Sequence, residues 1–446
     1  MNPELQRQWW LELSPARLIT HGAGLGVLFV LVGLLDARFG LGFGAATPTA
    51  ALLVFVCLAA WIGGQRVADA LLDELRAQTW DMQRLSALSP WSMTWGKWLG
   101  ATTDVWLGSL LCLAIFLQTA QSLTVSIRAL FALEALGGAL LVQILSLIGA
   151  LALTGHPRRL KGLLGGRLVM VSSSLGYAWL AFHLGTDETV RWYGQVLPAR
   201  VFCTGLLWVA LVWGTLGAYR LMAETLQVRG IPWAWVSFLL FAGGVAAGGY
   251  VQPEQLPVVQ LRTLAAVVLI GALGAAYLTA FNLPRDPLFA RRLCGYARAS
   301  QWRRVAEETP LWIVALGVGL VAVVVCVGTA GPVDDAVGPI THLGLAAFAL
   351  WAYAARDLLL LLGLGFGPRA ARAETTAVLI LALLYWVIPA LCTLLGLGAF
   401  RVGVRPPVFA GPGAASLILL VQLAGVGVWT WRAYQMRMTP QATGRT

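Results

Sequence analysis

The chain has 446 residues, of which 59% are hydrophobic and 11% are charged, and its formal net charge is +11. Soluble domains carry about 25% charged residues, so a soluble core could not absorb this much apolar sequence. The composition therefore excludes an ordinary soluble enzyme. No nucleic-acid partner is expected either, because the basic residues lie mostly in alternate loops between apolar runs, as in membrane proteins.

Apolar runs long enough to cross a bilayer, which takes about 20 residues, recur along the chain. Twelve spans are predicted, at residues 18–35, 47–64, 98–118, 129–154, 163–183, 201–221, 232–250, 259–281, 310–329, 340–363, 375–399 and 414–432. The sequence thus predicts an all-α integral membrane protein.

The distribution of basic residues predicts the orientation. Of the 31 Lys and Arg, 23 fall in segments that are inside if the N-terminus is cytoplasmic, 7 fall outside and Arg356 lies within a span. Positive charge accumulates in cytoplasmic loops. Both termini are therefore expected in the cytoplasm, and the expected location is a bacterial inner membrane.

The predicted spans fall into two six-span halves, residues 18–221 and 222–446, after an N-terminal segment at 1–17. In the longest inside loop of each half, the run from Arg84 to Pro90 matches the run from Arg304 to Pro310 as R-[LV]-x-x-x-[ST]-P, at an offset of 220. Internal repeats are common in transporters, which favours a duplicated unit.

The loop at 65–97, between spans two and three, carries an amphipathic pattern. Apolar residues recur three to four apart, at Val67, Leu71, Leu75, Met82, Leu85 and Leu88. This spacing predicts a helix with one apolar face, and Ser89-Pro90 is expected to end it because proline lacks a donor. The remaining faces mix Asp and Glu with Arg, which suits a protein partner better than an anionic lipid surface.

The residues Glu74, Thr79, Leu85, Leu88-Ser89-Pro90 and Gly96-Lys97 resemble the E-x-x-x-x-T…L-x-x-L-x-P…G-K signature of ABC transporter permeases of the exporter class, the ABC type 2 family. The resemblance implies that 65–97 is a coupling helix that docks on an ATP-binding subunit. The residues implied in docking are Glu74, Arg76, Thr79, Asp81, Arg84, Leu85, Leu88, Ser89, Pro90, Gly96 and Lys97. It also implies that 1–17 is an amphipathic interfacial helix, with Leu5, Trp9 and Leu13 on one face.

Two features depart from that family. Its members usually have six spans, and Gln78 replaces the usual glycine before the motif threonine. Twelve spans would correspond to two fused halves, a pseudo-dimer within one chain, and a homodimer is the other arrangement. The loop at 282–309 would then hold a second coupling element with a degenerate motif, formed by Arg303, Arg304, Glu307, Glu308, Thr309 and Pro310.

The sequence contains no G-x-x-x-x-G-K-[ST] phosphate-binding loop. The chain is therefore not expected to be an enzyme or to bind a cofactor, and ATP with Mg is expected on a partner ATPase. The six Cys form no C-x-x-C pair, and the four His lie far apart in sequence, so no metal site is predicted.

Polar residues inside predicted spans are costly and are candidates for function. Glu134 and the Arg356-Asp357 pair are either part of a substrate path or polar contacts between helices. Gln143 is better explained by interhelical hydrogen bonding than by ligand contact.

Three functions remain open. The first is a permease subunit of an ATP-driven exporter, with a lipidic or amphipathic substrate suggested by the short external loops. The second is an ion-coupled secondary transporter, although the 33 residues of the 65–97 loop are longer than the short basic loop of the major facilitator layout. The third is a membrane enzyme acting on lipid-linked substrates, and an anchoring role for another complex is a further alternative.

Overall fold

The structure is a computed structural model that describes residues 2–38, 46–86, 88–154, 189–228, 230–282, 287–329, 343–367, 372–396 and 412–438. It is 85% helical. Eight helices in this part of the chain are long and apolar enough to cross a membrane, or nine if one bent pair is a single span. The chain is therefore an all-α integral membrane protein. Twelve spans stay a prediction, since the fifth, at 163–183, lies outside the described residues.

Helices α1 to α4 cover the first part of the chain. They are α1 (Pro3–Glu12), α2 (Pro15–Arg38), α3 (Ala46–Arg76) and α4 (Trp80–Arg84). The Asn2 side chain caps α1 by accepting from the backbone N–H of Glu4 at 3.0 Å. Helix α3 contains a π-helical segment at Val56–Ile62 and continues through Gly63-Gly64. The predicted second span and the first part of the predicted loop are thus one helix.

The rest of the first half consists of α5 (Pro90–Gly100), α6 (Thr103–Thr119), α7 (Val125–Thr154) and α8 (Ala199–Thr225). Helices α5 and α6 are bent by 54° and together form the candidate ninth span. A second π-helical segment, Gly96–Gly100, lies at the end of α5. Between α7 and α8, strands β1 (Thr189–Trp192) and β2 (Gln195–Pro198) form a hairpin.

The second half contains α9 (Trp233–Ala247), α10 (Pro257–Asn282), α11 (Pro287–Arg298), α12 (Trp302–Glu308) and α13 (Leu311–Gly328). It ends with α14 (Leu343–Phe366), α15 (Ala373–Leu394) and α16 (Pro412–Met438). Helix α9 has 15 residues, fewer than its predicted span. Helix α15 contains a π-helical segment at Leu383–Val387.

The contacts divide the chain into two compact units, residues 1–190 with 196–229, and residues 191–195 with 230–446. In the first unit, α7 is the most buried span and packs against α3 and α8. Its core includes Phe55, Phe116, Ile144 and Leu147. In the second unit, α10 packs against α13, and α14 packs against α16. Small residues such as Ala139 and Ala352 are fully buried, which allows membrane helices to approach closely.

The predicted single helix at 65–97 is interrupted twice, between α3 and α4 and again between α4 and α5. Gln78 has a left-handed φ of 56°, which ends α3 before Trp80 begins α4. Pro90 does not end a helix: it occupies the first turn of α5, where its missing N–H costs nothing, and the Ser89 hydroxyl caps the helix by accepting from Ser92 N–H at 3.2 Å. The predicted apolar face is also divided, because Val67 and Leu71 are buried while Met82 and Leu85 are exposed.

Candidate partner-docking site

Four charged side chains from three helices meet beside α1. Lys97 from α5 contacts the carboxylate of Glu74 from α3, and its Nζ lies 3.4 Å from Glu4 Oε1 of α1. Arg7 donates to both oxygens of Glu4, at 3.0 and 2.8 Å, and also to Glu74. Each carboxylate is therefore shared by two cations, and the group has no net charge.

The lysine at the centre of this group is fully buried, with 0% of its side chain exposed. Its Nζ lies 5.4 Å from the centroid of the Trp80 ring, which is in the range of a cation–π contact. Gln83 Nε2 donates to Glu74 Oε1 at 2.6 Å. A buried lysine is tolerated only when it is paired, so Lys97 depends on Glu74 and Glu4.

Helix α1 packs against α5 through two glycines. A Cβ added at Gly96 would lie 2.4 Å from Glu4 Cγ, and one at Gly100 would lie 2.6 Å from Gln8 Cβ. Trp9 Nε1 donates to Thr103 Oγ1 at 2.9 Å. Glu4 and Gln8 are therefore buried against α5, and Leu5 and Trp9 of the predicted apolar face are half-buried beside them.

The surroundings shift the pKa values of the two α1 residues. Burial disfavours the charged form of Glu4, but hydrogen bonds from Arg7 and the charge of Lys97 outweigh it and hold the pKa of Glu4 below its ordinary value of 4.5. Hydrogen bonding to Glu4 raises the pKa of Arg7. Both groups are thus ionised at neutral pH.

The residues of the motif separate into an internal set and an exposed set. Glu74, Gly96 and Lys97 lie within the ion-pair group, while Leu88 packs partly against the core and Ser89 and Pro90 start α5. Arg76, Thr79 and Asp81 are exposed, and Arg84 is half-buried and donates to Asp81 at 3.2 Å. Met82 and Leu85 are 75% and 88% exposed. Helix α4 and the residue directly after it thus present two large apolar side chains among mixed charges.

The predicted second element lies on α12 and at the start of α13. Arg303 Nε donates to Glu307 Oε1 at 3.0 Å, and the Arg304 guanidinium lies 5.7 Å from the centroid of the Tyr296 ring. Thr309 Oγ1 donates to the Val305 carbonyl at 2.6 Å, Pro310 precedes α13, and Glu308 lies at the end of α12.

The turn from α11 to α12 repeats the turn from α3 to α4. Residues 76–80 read R-A-Q-T-W and residues 298–302 read R-A-S-Q-W, so both fit R-A-x-x-W at an offset of 222. Gln78 and Ser300 occupy the same place in this pattern, and both have a φ of 56°. In each case the tryptophan begins the next helix. The two units therefore share a local turn that the sequence comparison at offset 220 missed.

Glu134 on α7 is bound by residues of α8. Arg200 donates to both of its oxygens, at 2.9 and 2.7 Å, and Thr204 Oγ1 donates to Oε1 at 2.9 Å. The Arg200 guanidinium lies 3.4 Å from the Phe131 ring centroid. These contacts join two helices through a bidentate ion pair.

Arg356 and Asp357 on α14 belong to a buried network in the second unit. Arg356 donates to Asp357 Oδ1 at 2.9 and 2.7 Å and to Gln422 Oε1 at 2.6 Å. The hydroxyls of Tyr277 and Tyr385 donate to Asp357 Oδ2 at 2.8 and 2.7 Å. The network joins four helices: α10, α14, α15 and α16.

Gln143 on α7 joins three neighbouring helices, α3, α5 and α6. Its Nε2 donates to the carbonyl of Ala59, in the π segment of α3, at 2.8 Å. Its Oε1 accepts from Trp98 Nε1 at 3.2 Å and from Trp106 Nε1 at 3.3 Å. These hydrogen bonds link α7 to α3, α5 and α6.

Sequence reasoning missed Glu4 and Arg7 as partners of the motif. The available signal was the pair Gly96 and Gly100, one helical turn apart, which leaves room for another helix. It also missed Asp104 on α6, which is 1% exposed and lies 3.8 Å from Arg66, with no hydrogen bond to either carboxylate oxygen among the described residues.

Comparison with family models, with curated proteins and with solved structures finds no match for this chain.

Proposed function

We propose that the chain is the membrane-spanning permease subunit of an ATP-driven exporter of the ABC type 2 class. The observation that carries the proposal is the ion-pair group formed by Lys97, Glu74, Glu4 and Arg7. Two motif residues separated by 23 positions contact each other in it. The group gives a physical reason for a motif with a glutamate at one end and Gly-Lys at the other: Glu74 pairs with Lys97, and Gly96 leaves room for α1.

In this proposal, α4 is the docking surface and the same group supports it. The group ties the end of α3 to the last part of α5, and the short helix α4 lies between these two helices in sequence. Met82 and Leu85 project from α4 into solvent. Large exposed apolar side chains among polar neighbours are typical of protein interaction sites. The occupant proposed here is a separate ATP-binding subunit, which carries the ATP and Mg.

The geometry also suggests how force would reach the spans. Helix α3 runs without a chain break from residue 46 to residue 76, and α5 continues into α6 through the 54° bend. A partner that pushes on α4 would therefore load the second span along its axis and the third span at its bend. Two six-span halves, cytoplasmic termini, a bacterial inner membrane and a lipidic or amphipathic substrate complete the proposal.

Asp104 favours a second candidate, the ion-coupled secondary transporter. It is a buried carboxylate in a candidate span, and among the residues that the structure describes its ion-pair partner is Arg66, at 3.8 Å. A carboxylate with few hydrogen bonds can exchange a proton during transport. If this candidate holds, Asp104→Asn abolishes uptake or efflux driven by a proton gradient.

The permease proposal is tested by purifying the full chain gently from native membranes and identifying the proteins that accompany it. An ATP-binding-cassette ATPase is expected with the wild type. A variant with Met82→Asp and Leu85→Asp should bind the ATPase roughly 100-fold more weakly, because each of the two apolar side chains contributes about 1.5–3 kcal/mol when it is buried.

The control is Val125→Asp, which places one negative charge, half of that in the double variant, at a residue that is 74% exposed at the start of α7, beyond the opposite end of α6. It should retain the ATPase. The proposal is wrong if no such ATPase accompanies the wild type under conditions that preserve membrane complexes, or if the Met82 and Leu85 variant retains it fully.

A further inference from the structure

The helices α11 and α12 carry a dense set of exposed basic side chains. Their exposed arginines are Arg291, Arg292, Arg298, Arg303 and Arg304. Residues 287–308 hold these five cations and two anions, Glu307 and Glu308, for a net charge of 5 − 2 = +3. The predicted coupling segment of the first half, the longer stretch 65–97, holds four cations and four anions and so has no net charge. The two stretches therefore differ in charge although they share the R-A-x-x-W turn.

Most of the positive charge on α11 is not neutralised locally. Arg303 is paired with Glu307, and Arg304 lies over Tyr296. Within the part of the chain that the structure describes, no carboxylate lies within ion-pair distance of Arg291, Arg292 or Arg298. These three guanidinium groups are oriented by the helix and remain available to an anion from outside the unit.

Apolar side chains lie beside the arginines. Leu288 and Trp302 are 56% and 67% exposed. The equivalent tryptophan of the first turn, Trp80, is 5% exposed and lies over Lys97. Tryptophan is enriched where a membrane meets water, and a helix with basic and apolar residues on its surface is typical of attachment to an anionic bilayer.

We propose that α11 and α12 bind the phosphate headgroups of anionic phospholipids. The guanidinium groups of Arg291, Arg292 and Arg298 pair with headgroup phosphates, while Leu288 and Trp302 enter the acyl boundary. Clusters of four to eight Lys or Arg beside a membrane helix have this property. The net charge of +3 fits a lipid surface, whereas the neutral α4 region fits a protein. This inference is independent of the proposed exporter function, and it replaces the second coupling element with a lipid contact.

The test uses the purified full chain in neutral detergent and fluorescence anisotropy with two short-chain fluorescent lipids, phosphatidylglycerol and phosphatidylcholine. The variant is Arg291→Gln with Arg298→Gln. Each arginine near an anionic surface contributes about 1 kcal/mol, so phosphatidylglycerol should bind the variant roughly 30-fold more weakly. Phosphatidylcholine binding should not change, and a variant with Arg291→Lys and Arg298→Lys should keep the phosphatidylglycerol affinity.

The matched control removes the same charge from the other turn, by Arg76→Gln with Arg84→Gln, and should leave the phosphatidylglycerol affinity at the wild-type value. An equal loss in this control would show a general effect of net charge and overturn the proposal. So would displacement of the labelled lipid by glycerol phosphate at matching concentration, since the site would then bind a free phosphate. Loss of a co-purifying ATPase from the Arg291 and Arg298 variant, with unchanged lipid binding, would assign the surface to a protein partner.

Discussion

Replacing Lys97 with methionine removes one cation from the group beside α1 while keeping the length of the side chain. Arg7 would then be left to neutralise both Glu4 and Glu74. Lys97 is 0% exposed, and the side chains of Glu4 and Glu74 are 4% and 12% exposed, so water cannot replace the lost charge. The direct consequence is repulsion between the Glu4 carboxylate of α1 and the Glu74 carboxylate of α3, which pushes α1 out of its packed position.

The magnitude follows from the burial. Breaking a buried ion pair by removing one partner costs about 3–5 kcal/mol, because the remaining charge is uncompensated. We use the lower bound, about 3 kcal/mol, since Arg7 still contacts both carboxylates. That energy corresponds to a roughly 100-fold increase in the population in which α1 is detached. Adding Glu74→Gln to Lys97→Met restores a neutral pair, Glu4 with Arg7, and should recover about half of the loss.

Hydrogen–deuterium exchange of the amides of α1 measures this detachment directly in the detergent-solubilised full chain. The matched control is Arg76→Met, which removes an exposed cation paired with Asp73 at 2.7 Å. It should change the free energy of α1 detachment, as obtained from the exchange rates, by less than about 1 kcal/mol. The reasoning fails if Lys97→Met exchanges like the wild type, or if the double variant is as detached as the single variant.

Two further predictions concern the same helix. Gly96→Ala should also detach α1, because its Cβ would lie 2.4 Å from Glu4 Cγ. The control Gly22→Ala, with no atom within 4 Å of its Cβ, should leave the exchange of the α1 amides unchanged. Equal exchange in the two variants would contradict the packing of α1 against Gly96. The lowered pKa of Glu4 means that its contribution is complete above the unfolded value of 4.5 and is lost as pH falls through the lower folded value. Exchange of α1, corrected for the intrinsic rate, should therefore be constant near neutral pH and rise below 4.5, and a Glu4→Gln variant should lack this rise.

The membrane class of the fold could be predicted from the sequence because it depends on the length and apolarity of single segments. The runs at 18–35 and 310–329 lie within α2 and largely within α13 for this reason. Helix ends were harder to predict. Gly63-Gly64 was taken as the end of the second span, but glycine is tolerated inside membrane helices, and α3 continues to Arg76.

The site was harder to predict because its residues are distant in sequence. Glu74 and Lys97 were identified from the motif, but nothing local indicates that they meet Glu4 and Arg7, which lie about 70 to 90 positions away. The break at Gln78 also could not be predicted from periodicity, since a single left-handed residue redirects the helix without changing the apolar spacing.

The two π-helical segments in the first unit have a mechanical consequence. Such a segment holds an extra residue, so its conversion to α-helix would rotate everything beyond it by about 100°. The Gln143 amide binds Ala59 in the segment of α3 and Trp98 in the segment of α5. Neither segment can therefore convert to α-helix without straining its hydrogen bond to Gln143. The second and third spans are thus coupled through the Gln143 side chain. A rotation of either span must either be followed by the other or break hydrogen bonds of the Gln143 amide.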